Sequence, residues 1–337
     1  MLRKLFYLIL LAIVFFLGLF MNRVLEATDK QTSLPIPKVI PRPLEKYTIE
    51  NLSKTDIKVG QFEMDLKLSD IEDYSPHIFR FRFNPNLDGK DMKVSEGQIN
   101  LPAGLSNKNK APLIIMLRGY IDQSLYRVGD GTRKAAEVFA KNGFITVAPD
   151  FLGYGGSDKE AENIFETRFQ TYVTVLSLIK SLDQIPEWDG KNVFLWGHSN
   201  GGQIALTVLE ISGVNYPSTL WAPVSKPFPY SILYYTDESE DHGKLIRSEL
   251  AKFEELYDVE LYSLTNYLDR INTPLQIHQG TSDNEVPISW TNELVDTLKK
   301  DGKPVEYFTY PAADHNLRPS WDLVVKKDLE FFKSHLK

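Results

Sequence analysis

A serine, an aspartate and a histidine, widely separated along the 337 residues, carry the chemistry this chain can perform. Ser199 stands in Gly197-His198-Ser199-Asn200-Gly201-Gly202, after the apolar run Val193 to Trp196 and before the helix-forming run Gln203 to Leu209. Strand, glycine-bounded turn and helix is the setting that exposes a serine hydroxyl for nucleophilic attack. Side chains at Gly197 or Gly201 would collide with the adjoining strand and helix. A serine hydroxyl is a weak nucleophile at neutral pH and needs a base, itself oriented by an acid. Acid and then histidine follow the serine in chain order in this arrangement.

Two later loops supply both groups. After the apolar run Leu275 to Ile277 the chain reads His278-Gln279-Gly280-Thr281-Ser282-Asp283-Asn284-Glu285-Val286-Pro287, which offers Asp283 as the acid, with Glu285 as its competitor. After Val305 to Phe308 it reads Thr309-Tyr310-Pro311-Ala312-Ala313-Asp314-His315, which offers His315 as the base. Asp314 reads as a loop-shaping acid. His198 should point away from the serine hydroxyl, and His278, which precedes the acid, reads as a structural hydrogen-bonding residue. His77, His242 and His335 fall in an edge strand, a polar insertion and the terminal helix, where exposed roles are expected. Charge developing on an attacked carbonyl oxygen must meet preorganised donors. Asn200 offers its backbone N–H, and Tyr120, in Arg118-Gly119-Tyr120-Ile121-Asp122, offers a second.

The elements that must position these residues are legible as patterns. Stretches 77–83 and 92–99 alternate with a period of two and read as exposed antiparallel strands leading into the core. From Pro112 onward the apolar runs 113–117, 144–148, 193–196, 219–222, 275–277 and 305–308 read as strands covered on both faces. Between them, Phe165 to Leu182 and the segment from Trp321 to Leu336 carry apolar residues on one helical face. Strands alternating with helices specify a mostly parallel sheet whose functional residues lie just beyond the strand ends.

Composition excludes several functions. A net charge of −7 and a pI near 5.5 argue against a nucleic-acid partner. No cysteine is present, which removes disulfides, thiolate metal sites and a cysteine nucleophile. Arg3 and Lys4 precede an apolar run of 17 residues from Leu5 to Met21, which predicts a membrane anchor or signal segment over residues 1–22. By the positive-inside rule the rest of the chain would lie outside the cytoplasm, membrane-anchored or else secreted after cleavage. Residues 23–46, with Pro35, Pro37, Pro41 and Pro43, read as an extended tether, and 47–337 as the catalytic domain.

From about Pro112 to its end the chain resembles the catalytic domain of the prolyl oligopeptidase family and its dienelactone hydrolase and acetyl esterase relatives. The matching stretches are Arg118-Gly119-Tyr120, Ala148-Pro149-Asp150-Phe151-Leu152-Gly153-Tyr154-Gly155-Gly156-Ser157, Gly197 to Gly202, His278 to Pro287 and Asp314-His315. The resemblance implies an α/β-hydrolase fold: a mostly parallel eight-stranded sheet, helices on both faces and a small cap insertion. It implies a serine hydrolase with no metal or organic cofactor. Relatives usually carry His-Gly where this chain has Arg118-Gly119, and a guanidinium cannot copy a neutral imidazole. Peptidases of the family also carry a large N-terminal β-propeller, for which Lys46 to Lys110 is too short.

A small carboxylic ester is therefore the expected substrate and a short peptide the alternative. A catalytically silent, membrane-tethered binding protein is a third reading, raised by Arg118. The insertion from Pro223 to Arg270, with Phe228, Tyr230, Tyr234, Tyr235, Tyr257, Tyr262 and Tyr267, could cap the serine or pack as ordinary core. Residues 237–241 read as a solvated acidic loop.

Overall fold

Alternate residues of the central strands send their side chains to opposite faces, and both faces are filled. Leu113, Ile115, Val147, Val193 and Leu195 enter one apolar cluster, whereas Ile114, Met116, Ala148, Phe194 and Trp196 enter another. Each of the larger aliphatic and phenyl side chains contributes roughly 1.5–3 kcal/mol by leaving water. Burial on both faces is what makes continuous apolar runs necessary there.

The computed structural model describes residues 2–29, 40–69, 71–106, 108–236, 239 and 241–337. Two compact units are present, residues 1–42 and 43–337. The second is built on one nine-stranded sheet in the order β1-β2-β3-β5-β4-β6-β7-β8-β9. Its strands are β1 (Gln61–Lys67), β2 (Tyr74–Phe83), β3 (Lys93–Pro102), β4 (Ala111–Leu117), β5 (Ile145–Pro149), β6 (Trp188–His198), β7 (Ser218–Trp221), β8 (Leu275–Gly280) and β9 (Val305–Tyr310). From β5 through β4, β6, β7 and β8 to β9 every pairing is parallel, and β1, β2 and β3 add on antiparallel.

The expected count of eight strands is thus corrected to nine among the described residues. The added strand is β1, whose exposed side chains give it little apolar burial. Its signal was the alternation of Phe62, Met64 and Leu66, and Phe62 stacks on Phe79 at 4.8 Å.

The helices are α1 (Leu2–Asp29), α2 (Ile49–Lys54), α3 (Arg133–Lys141), α4 (Ile164–Lys180), α5 (Asn200–Ser212), α6 (Tyr230–Leu233), α7 (Lys244–Glu254), α8 (Ile288–Lys300) and α9 (Trp321–Ser334). Asn163 caps α4, its Oδ1 accepting the N–H groups of Phe165 and Glu166 at 3.0 Å each. On one face, Phe139 of α3 and Phe332 of α9 meet edge-on at 5.6 Å, and Phe332 lies 5.0 Å from Phe194 of β6. On the other, Phe169 of α4 stacks on Tyr262 at 4.7 Å. Truncating a ring at such a position costs about 3–5 kcal/mol.

The first unit contains α1, a single helix of 28 residues with exposed apolar side chains such as Phe15, Phe16 and Phe20. The expected membrane span is corrected here: among the described residues no helix is long and apolar enough to cross a membrane. At about 1.5 Å per residue the uninterrupted apolar run rises only ~26 Å, short of a ~30 Å hydrocarbon layer, and charged residues stand before and after it. The helix continues to Asp29, into the stretch expected to be extended. Pro35 and Pro37 lie outside the described residues. Leu44 and Tyr47 are buried in the second unit, where the Leu44 carbonyl accepts from the Tyr262 hydroxyl at 3.1 Å.

Candidate active site

Loops leaving the carboxyl ends of β4, β5, β6, β8 and β9 bring the candidate residues to one rim of the sheet. At the end of β6 the backbone turns abruptly, and Ser199 takes φ 55° and ψ −118° before α5 begins at Asn200. A non-glycine residue rarely adopts positive φ, and surrounding hydrogen bonds hold it there. The Ser199 N–H donates to the Trp221 carbonyl at 2.9 Å, and its own carbonyl accepts from Val224 N–H at 3.1 Å. The glycines have no room for side chains. A Cβ on Gly201 would fall 1.8 Å from the Leu117 carbonyl oxygen, and one on Gly197 would fall 2.7 Å from the Gly201 carbonyl oxygen.

Asp283 and His315 meet. Asp283 Oδ2 accepts from His315 Nδ1 at 2.9 Å and from Gln279 Nε2 at 3.0 Å. Its Oδ1 accepts from the backbone N–H groups of Glu285 and Val286, each at 2.9 Å. Burial alone would raise the Asp283 pKa. The hydrogen bond and charge of His315, with the two backbone N–H groups, outweigh burial and hold the carboxyl below its ordinary value. Glu285 is exposed and contributes only its backbone N–H, its competing carboxylate taking no part in this network. Asp314 shapes the loop instead, its Oδ1 accepting from Asn316 N–H and Arg318 N–H at 2.9 Å each.

His198 performs a task that adjacency in sequence did not disclose. Its Nε2 donates to the His315 carbonyl oxygen at 3.0 Å, and the two rings lie 4.6 Å apart. Burial, then the neighbouring His315, lowers its pKa to about 4, so it stands as a neutral imidazole. His278 is structural, as expected: Nδ1 meets the Tyr310 hydroxyl at 2.8 Å, and Nε2 lies 3.0 Å from buried Asp328. The Trp221 indole N–H donates to that same carboxyl at 2.9 Å. His77 approaches Ser75 Oγ at 2.9 Å, and His335 Nδ1 approaches the Phe331 carbonyl at 2.8 Å.

Asn200 and Tyr120 both keep their backbone N–H groups free of protein acceptors among the described residues. Arg118 explains the aim of the second. Its guanidinium donates from Nη1 to the Gly119 carbonyl at 3.0 Å and from Nη2 to the Asp150 carbonyl at 2.9 Å. A trans peptide points its N–H opposite to its C=O, so fixing the Gly119 oxygen fixes the Tyr120 N–H. The buried cation lies against two rings that meet each other edge-on, 3.9 Å from the Tyr154 centroid and 4.6 Å from that of Tyr126. The loop is therefore held by a guanidinium, Arg118. Gly119 passes close to the serine: a Cβ there would lie 3.2 Å from Ser199 Cβ.

The insertion divides its aromatic residues. Phe228, Tyr257, Tyr262 and Tyr267 pack with the large core, whereas Tyr230, Tyr234 and Tyr235 gather around Trp290 of α8, Tyr234 at 4.7 Å. Burial raises the Tyr235 pKa, followed by the charges of Tyr234, Asp283 and Glu285. Of the acidic stretch, Asp237, Glu238 and Glu240 lie outside the described residues. A cavity of about 420 Å³ is lined by Tyr120 and Asn200, with Arg118, Arg168 and Tyr154.

Comparison with known proteins identifies the family and the fold. Residues 131–337 match the prolyl oligopeptidase family. An uncharacterized peptidase, YtmA, of Bacillus subtilis is 26% identical over 54% of this chain and 68% of its own length. The acetyl esterase Axe7A of Xylanibacter ruminicola is 25% identical over 44% of this chain and 38% of its length. The solved acetyl xylan esterase of Paenibacillus sp. R4 shares the fold with a TM-score of 0.65, at 17% identity, over 87% of this chain and 94% of that one. The chain has the α/β-hydrolase fold, is a serine hydrolase, and belongs to the prolyl oligopeptidase family.

Proposed function

We propose that the chain hydrolyses a small carboxylic ester, with Ser199 as nucleophile, His315 as general base and Asp283 as the acid that orients it. The observation that carries this reading is the 2.9 Å bond from His315 Nδ1 to Asp283 beside a serine held at positive φ. Ser199 Oγ attacks the acyl carbonyl while His315 Nε2 accepts the hydroxyl proton. The N–H groups of Asn200 and Tyr120 receive the developing oxyanion. His315 then delivers its proton to the departing alkoxide, and water, deprotonated by the same imidazole, releases the acid and frees Ser199. Ionised Asp283 stabilises the imidazolium formed in each step. Ser199 Oγ makes no protein hydrogen bond among the described residues. Such bonds commonly close only around substrate.

The acetyl esterase relative and the modest cavity beside the oxyanion donors favour the ester. Family membership and the peptidase relative support a second reading, cleavage of short peptides by the same residues. Rates on p-nitrophenyl esters and on peptide p-nitroanilides separate the two, because an amide leaves only after protonation of its nitrogen. A higher kcat/KM on the ester, lost in Ser199→Ala, supports the first reading, and the reverse ranking supports the second.

For location we propose that the catalytic unit lies outside the cytoplasm, a reading supported by Arg3 and Lys4 ahead of an apolar run, the order of charge and apolar residues found in a secretion signal. Protease digestion of the catalytic unit in intact cells, or its recovery from the medium, agrees with this. Protection in intact cells and release only on lysis contradict it.

A further inference from the structure

Arg168 lies on α4, half-buried, in the wall of the cavity that Asn200 and Tyr120 also line. Its Nη2 donates to Gln203 Oε1 at 3.0 Å, and its Nη1 reaches Asn200 Oδ1 at 3.5 Å. Both acceptors are neutral amides, and among the described residues no carboxylate pairs with this guanidinium. A guanidinium has five N–H donors in a planar fork, so most of its capacity, and all of its charge, remain uncompensated. Glu160 and Glu162 also line the cavity, but both are exposed to solvent, where their field is screened. Arg118, the other cation in the wall, is committed to two carbonyls and two tyrosine rings. The amino end of α5 faces the same space through Asn200 and adds to the positive potential there.

Resting on the serine hydrolase reading above, we propose that Arg168 is a specificity residue that binds a carboxylate carried by the ester substrate. The natural substrate is then an ester with a free acid group on one arm. The carboxylate accepts paired hydrogen bonds from the guanidinium fork while the scissile carbonyl sits against Asn200 and Tyr120.

The test uses matched esters, each rate normalised to alkaline hydrolysis of the same compound. One pair carries the charge on the acyl side, mono-p-nitrophenyl glutarate against its methyl diester. The other carries it on the alcohol side, p-carboxyphenyl acetate against its methyl ester. The wild-type chain should favour the charged member of at least one pair, by a kcat/KM ratio that shrinks as salt is raised. Arg168→Met should reduce that ratio by roughly 10- to 100-fold, the worth of hydrogen bonds to a charged group. Arg168→Lys should retain part of it and serves if the methionine variant folds poorly. A wild-type ratio within about twofold of unity in both pairs, or a preference that survives Arg168→Met, overturns the proposal. If neither pair is turned over in a Ser199-dependent manner, the ester reading proposed above fails and this proposal falls with it.

Discussion

The imidazole of His198 donates from Nε2 to the carbonyl oxygen of His315 at 3.0 Å. The residue preceding the proposed nucleophile thereby grips the backbone of the proposed base, and two segments more than a hundred positions apart are tied together there. With a pKa lowered to about 4, His198 remains neutral at all higher pH. Replacing it by Leu should let the His315 loop drift and lower kcat by roughly tenfold, equivalent to ~1.4 kcal/mol, with a smaller change in KM. Steady-state kinetics on an ester checks this, and an unchanged kcat would show that the loop holds itself.

Arg118 fixes the Gly119 carbonyl and with it the Tyr120 N–H, the second of the proposed oxyanion donors. Arg118→Met should leave the Tyr120 N–H unaimed and reduce kcat by about a hundredfold, as loss of one oxyanion donor does. Arg118→Lys should recover little, because an ammonium cannot span the carbonyls of Gly119 and Asp150 while also keeping the guanidinium's contacts with the Tyr126 and Tyr154 rings. Full activity in both variants would mean that the loop is held by other contacts.

Asp283 rather than Glu285 holds the histidine. Asp283→Asn should lower kcat by about 10⁴-fold, since the amide favours the wrong imidazole tautomer, while Glu285→Gln should change it by about twofold at most. The lowered pKa of Asp283 keeps it ionised below the usual carboxylate range, so its contribution should persist into mildly acidic solution. Equal losses in the two variants would leave the acid unassigned.

Asp150 gives a pH signature in stability. Burial, opposed by the Tyr126 hydrogen bond and the Arg118 charge, raises its pKa from 3.8 to about 6. The native state therefore holds a proton that the unfolded chain has lost between those values. Its contribution is fully present below the lower value and is lost as pH rises through about 6, on the order of 3 kcal/mol. Denaturant midpoints measured across this window should flatten in Asp150→Asn. A slope identical to wild type would show that Asp150 does not hold this proton.

Much of the site was legible in the sequence because each candidate lies just after a strand, and strand ends are marked by the switch from apolar run to polar loop. Ser199, Asp283 and His315 announce themselves in this way. The aim of the Tyr120 N–H was not legible, since it depends on a guanidinium reaching back to a carbonyl and on rings arriving from elsewhere in the chain. The same holds for Arg168, which looks like an ordinary polar position on an amphipathic helix until the fold sets it beside Asn200. Strand β1 escaped notice because only one of its alternating residues, Phe62, finds a packing partner. The N-terminal run shows the opposite error: its composition suggested a span, and its length falls short.

The central claim is that Ser199 is an activated alcohol, and a fluorophosphonate probe tests it most directly. Only a serine whose proton is drawn off by a positioned base reacts quickly with such a probe. Rapid labelling of the wild-type chain, mapped to Ser199 and absent in Ser199→Ala, is the predicted result. A folded wild-type chain that stays unlabelled, or one labelled equally in Ser199→Ala, contradicts the account.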